Sequence, residues 1–111
     1  MKVLVLCRKD DRIEEYLQKG FRNDIYVFTN DAAYCLEFIT VERIVDEIII
    51  DVKSDGYYTI DENCIVMHSI DDDSVKCFFS SLNDCFFRKF TPLSHEEKEF
   101  LQEQMDNLYE L

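Results

Sequence analysis

The chain has 111 residues, 47% of them hydrophobic, and carries 24 acidic against 12 basic side chains for a formal charge of −12. That length suits one compact domain over residues 1–111, and the acidic balance repels phosphate backbones and anionic surfaces, so neither direct nucleic-acid binding nor membrane binding is expected. With two glycines and no G-rich loop the nucleotide-binding enzymes of the P-loop or dinucleotide kind are excluded, and no apolar run approaches the roughly 20 residues that cross a bilayer.

In chain order, residues 1–6 open a first strand rather than a secretory leader, and residues 3–7 read as buried. Asp11, three residues before Glu14, starts a helix with Ile13, Tyr16 and Leu17 on one face and Gly20 at its end. Residues 25–28 form a second strand. Asn30 caps a second helix through Ala32, Ala33, Cys35, Leu36 and Ile39. The run Asp46-Glu47-Ile48-Ile49-Ile50-Asp51 places three β-branched residues before a carboxylate, as a buried parallel strand does when it delivers an acid to the carboxyl edge of a sheet, so residues 47–51 are assigned to strand three.

Tyr57 to Ile60 is strand-like or extended, residues 64–68 are a buried strand, and Val75, Phe78, Phe79 and Leu82 make one face of a short helix. Residues 85–90 supply a fifth strand. Ser94 with Glu97 forms a capping box for a final helix carrying Phe100, Leu101, Met105 and Leu108. Helical connections between apolar strands give an α/β, three-layer, flavodoxin-like fold with a five-stranded parallel sheet in the order 2-1-3-4-5. Only 18 positions separate Asp51 from Ser69, which leaves the third helix shortened or missing.

An acid at position 51, a hydroxyl at Ser69 and an ammonium at Lys89, each ending a strand, resemble the receiver domain of two-component response regulators over nearly the whole chain. The resemblance implies that Asp51 is the phosphoacceptor, that Ser69 and Lys89 bind phosphoryl oxygens, and that Phe86 is the aromatic switch. It also implies Mg²⁺ beside Asp51. Where the family carries an acidic pair directly after strand one, this chain has Cys7 and Arg8, while Asp10 and Asp11 stand about three residues later. Arg8 would then replace the cation in a salt bridge to Asp51. Metal binding would require Asp10 and Asp11 to bend back, with Asp55 assisting.

The expectation is a degenerate receiver-like signalling domain, not an enzyme and without a cofactor. It would act through protein contacts without conventional phosphorylation, regulate transcription or another output, and be followed by an effector domain beyond Leu111 in a longer parent chain. Tyr57 and Tyr58, in the place of the missing helix, are the expected interaction surface for a protein partner or a homodimer. The alternative is a small acidic stand-alone inhibitor, for instance phage-encoded, that occupies a basic groove of a host nucleic-acid enzyme.

His68 beside Ser69 lacks a nucleophile elbow and reads as structural, and Asp71-Asp72-Asp73 reads as a helix start rather than a calcium loop. Five cysteines, an odd count without a C-x-x-C pair, point to reduced thiols in a cytoplasmic protein. Cys7, next to Arg8 and Lys9, would have a lowered pKa if exposed.

Overall fold

The computed structural model describes residues 3–111; Met1 and Lys2, at the head of the expected first strand, lie outside them. Among the described residues the elements are β1 (Leu4–Arg8), α1 (Ile13–Lys19), β2 (Phe21–Phe28), β3 (Ala33–Thr40), α2 (Val41–Asp55), β4 (Cys64–Met67), α3 (Asp72–Ser80), a 3-10 turn (Asp84–Lys89), α4 (His95–Glu103), a second 3-10 turn (Met105–Asn107) and β5 (Leu108–Glu110). The sheet runs β4-β3-β2-β1-β5. Only β3 and β4 are parallel; β1/β2, β2/β3 and β1/β5 are antiparallel.

This mixed sheet overturns the parallel 2-1-3-4-5 flavodoxin-like expectation, and three reassignments account for the difference. The first is Ala33–Thr40, a strand rather than a helix. Thr29, Asn30 and Asp31 make the hairpin turn into it: Thr29 Oγ1 accepts from the backbone N–H groups of Asp31 and Ala32, and the Thr29 N–H donates to the Ala32 carbonyl. Asn and Asp beside a hydroxyl favour turns as much as helix caps, and here the turn wins. The second is residues 47–51, which are interior to the 15-residue helix α2. The third is residues 85–90, a 3-10 turn whose Phe86, Phe87 and Phe90 pack inward as an aromatic cluster. The fifth strand is instead Leu108–Glu110, beside β1, and the final helix stops at Glu103.

Other expectations hold. Gly20 ends α1 in the left-handed region, φ 84°, and a Cβ there would meet Thr40 Oγ1 at 2.5 Å, so both conformation and space require glycine. Ser94 and Glu97 close their capping box. Asp71 caps α3 by accepting from Ser74 N–H at 2.8 Å, and that hydrogen bond holds its carboxyl below the usual range.

One sheet face, bearing Val5, Cys7, Ile25, Val27, Leu36, Phe38 and Ile65, is covered by α3 through Val75 and Phe79 and by the 3-10 turn through Phe87 and Phe90. The other face carries Leu6 and Tyr26 under Leu101 of α4. A bulge between Arg22 and Ile25, with Asp24 at φ 60°, sets two residues of β2, Asn23 and Asp24, against one of β3, Glu37. It turns Arg22, opposite Phe38, into the first face, where it is 2% exposed and the only buried charged side chain among the described residues.

Arg22 Nη2 pairs with Asp72 Oδ1 at 2.6 Å and donates to Tyr109 Oη at 2.7 Å, while Nη1 donates to the Ile70 carbonyl at 3.2 Å. The guanidinium thereby joins β2, the loop after β4, the start of α3 and β5. Removing the anion alone leaves a buried charge without its counter-ion. Asp72→Ala is expected to cost about 3 kcal/mol, the low end for breaking a buried pair because water reaches the half-exposed Asp72 position. Arg22→Met, which removes the charge itself, should cost about 1 to 2 kcal/mol through lost hydrogen bonds. Urea unfolding of both variants checks the order; Arg22→Met as the more damaging change would contradict it.

Candidate functional site

The sites anticipated at a strand edge are not assembled. Asp51 lies in the last turns of α2, half-buried, about three turns beyond the end of β3. Ser69 Oγ donates to Asp71 Oδ2 at 3.2 Å. Lys89 Nζ sits over the rings of Phe86 and Phe90, 4.5 and 5.7 Å from their centroids, so of the anticipated set only Phe86 and Lys89 meet, as neighbours in one 3-10 turn. Arg8 pairs with Asp24 at 3.3 Å and donates to Tyr26 Oη, rather than reaching Asp51.

Among the described residues no hydrogen bond or ion pair links the side chains of Arg8, Asp51, Ser69 and Lys89 to one another. Asp10 Oδ1 accepts from the Arg12 N–H at 2.8 Å in the turn before α1, Asp11 is exposed beside it, and Asp55 ends α2. No group of three or more His, Cys, Asp or Glu side chains among the described residues is placed to hold a metal ion.

Geometry instead singles out α2. Thr40 caps its start by accepting from Arg43 N–H at 3.2 Å, and Gly56 ends it at φ 87°. Val41, Ile44, Val45, Ile48, Ile49 and Val52 recur at i, i+3, i+4, i+7, i+8 and i+11, the spacing of one apolar helix face. In most helices such a face is turned to the core. Here only Ile44 is buried, while Val41, Val45, Ile48, Ile49 and Val52 are 39–59% exposed, with Ile50 at 63% on the far side.

The reason is on the inner side. Arg43, Glu47 and Asp51 are the half-buried positions there. Arg43 Nε pairs with Glu47 Oε1 at 3.1 Å and its guanidinium lies 5.4 Å from the Phe21 ring centroid; Tyr58 Oη donates to Glu47 Oε2 at 3.4 Å. Beneath them Glu37 projects from β3 on the face opposite Phe38. Burial, reinforced by the charges of Asp61 and Glu47, raises its pKa. Buried Ile44 and Arg43 over the Phe21 ring seat α2 on the sheet, with the Arg43–Glu47 pair and Tyr58 beside them, and the rest of the apolar stripe lies outside this contact. Tyr57, anticipated as surface, is exposed just past Gly56, with Ile60 also exposed; Tyr58 is half-buried through its bond to Glu47.

A groove of about 640 Å³ lies beside α4, bordered by Arg8, Tyr26, Cys35, Leu93, Phe100 and Leu101. Its basic groups are already engaged, Arg8 with Asp24 and Lys9 with the Asp106 carbonyl.

The thiols offer no nucleophile of ordinary reactivity in the core. Cys7 is buried, and despite Arg22 nearby burial pushes its pKa up to about 11, against the lowering anticipated for an exposed thiol; Cys35 and Cys64 are pushed by burial to about 11 as well. All five cysteines are free.

In comparisons with known proteins, no family model, no curated protein and no solved structure matches the chain. No helix among the described residues is long and apolar enough to cross a membrane.

The raised thiol values, with Tyr109 pushed by burial to about 12, set a pH dependence. The unfolded chain loses these protons from about pH 9 for thiols and pH 10 for the phenol, earlier than the folded chain does. Stability is therefore retained below pH 9 and falls as pH rises through the folded values. Urea midpoints at pH 7, 8 and 10.5 should be level between the first two and lower at the third; a midpoint unchanged at pH 10.5 contradicts the burial of these groups.

Proposed function

We propose that this chain is a non-catalytic protein-binding module that docks through the outer face of α2. The observation that carries the reading is the exposure of Val45, Ile48, Ile49 and Val52 along one side of a capped helix whose inner side is seated by Ile44 and by Arg43 over Phe21. Contiguous apolar surface of this kind on a soluble domain is typical of a protein interface, and isolated exposed aliphatics are not. Tyr57, just past the helix end, is exposed as well. Regulation by contact needs neither a phosphoacceptor nor a metal, and the separation of Asp51, Ser69 and Lys89 favours that form over phosphoryl switching. A cytoplasmic setting belongs to the reading and is supported by five unpaired thiols.

The formal charge of −12 favours a second form of contact, in which the whole acidic surface occludes a basic nucleic-acid groove of an enzyme. That form draws on long-range charge and would be insensitive to neutral changes on α2. The first form depends on them.

The paired substitution Val45→Ser with Ile48→Ser tests the docking face. On an outward stripe it changes stability by no more than about 0.5 kcal/mol in urea unfolding. It should also reduce binding of the neutral dye Nile red to the folded protein. A loss of several kcal/mol would place the stripe in the fold's own core and overturn the reading.

A further inference from the structure

We propose that the partner seated on α2 is a basic amphipathic helix, with apolar side chains at helical spacing and Lys or Arg on both flanks. The inference deepens the docking reading above and rests on it. Val41, Val45, Ile48 and Val52 are separated by four, three and four residues, the alternation of a and d positions in a helix-pairing seam, so the complement in shape is another helix. Branched side chains at all four positions hold few rotamers in a helix, which presents a fixed row of knobs and holes.

Charge decides which helix. By helical spacing Glu42 and Asp46 border the stripe on one side and Asp51 borders it on the other, while Asp55 ends the seam itself with a further acid. Of the two basic residues on α2, Arg43 is engaged by Glu47, and Lys53 alone interrupts the acidic borders. A partner with cationic flanks meets an acid along either edge, and the chain's charge of −12 steers it in.

A second copy of the chain is disfavoured by the same arrangement, because pairing two stripes brings acidic border against acidic border and two strongly anionic bodies together. Length bounds the strength. Fifteen residues give a helix of about 22 Å, enough for some four turns of contact and less than the roughly 800 Å² per partner of a standard interface. The contact is therefore a small one, of the size class of transient complexes.

The probe is a fluorescein-labelled 14-residue peptide of Leu and Lys at amphipathic helical spacing, titrated against the full chain by anisotropy. Two control peptides accompany it, one with shuffled order and one with Glu in place of Lys. Expected are binding to the ordered basic peptide, loss of the acidic peptide's binding, and weakening of about tenfold or more both in the Val45→Ser, Ile48→Ser protein and between 50 and 500 mM NaCl. Methyl shifts of the unsubstituted protein should move on α2 and not around Phe79.

Equal binding of the shuffled peptide, or an affinity unchanged by the serines, overturns the proposal in favour of charge alone. A chain that is dimeric by light scattering and monomeric with the serines would make the second copy the occupant; that overturns the proposal while the docking reading stands. Unfolding of the serine variant overturns both.

Discussion

Arg22 is the constraint around which the covered face of the sheet is arranged. A guanidinium can be buried only if its charge is matched and its N–H groups are bonded, so the bulge that turns it inward commits Asp72, Tyr109 and the Ile70 carbonyl to fixed places around it. Tyr109 in turn donates to Asp72 at 3.2 Å, closing the network. Through these contacts the C-terminal strand is held against β1 and α3 is held over the sheet, with the phenylalanines of α3 and the 3-10 turn filling the space between. The apolar face of the sheet is thereby closed by residues 70 to 90, and none of that closure calls on α2.

The consequence for α2 follows from what remains. It links the parallel pair, β3 and β4, and meets its sheet through Ile44 alone among its aliphatic side chains, with Arg43 lying over Phe21 beside it. The helix is formed by its caps and internal ion pair and seated by Ile44 and Arg43, while the rest of its apolar stripe faces water. That division of labour, with stability in the Arg22 face and contact on α2, is why the account places function on a helix surface rather than at the strand ends.

Four local features were legible in the residues: the buried opening strand, the Gly20 stop, the strand through Cys64 and the Ser94 capping box. The larger errors have local causes. Ile48-Ile49-Ile50 satisfies both a buried strand and a helix face over five residues, and only the wider window from Val41 to Val52 shows the helical period. Ala33 to Thr40 mixes helix formers with Tyr, Phe and Ile, and pairing on both sides by β2 and β4 decided it. Once those two elements exchanged identities, the strand-end set of Asp51, Ser69 and Lys89 dissolved, because its geometry existed only in the parallel order. Arg22 carried no signal of burial in the sequence; its partners lie 48 to 87 positions away. The stripe on α2 did carry one, in its spacing, but a sequence cannot tell whether such a face turns inward or outward.

The most direct measurement of that last point is paramagnetic relaxation of methyl groups by a soluble, uncharged gadolinium chelate in a dilute sample of the unsubstituted protein. The account predicts strong relaxation at the methyls of Val45, Ile48, Ile49 and Val52 and almost none at those of Ile25, Val27 and Val75, which are buried between the sheet and α3. Protection of the α2 methyls equal to that of Val75 would contradict it, since the stripe would then already be covered within the chain.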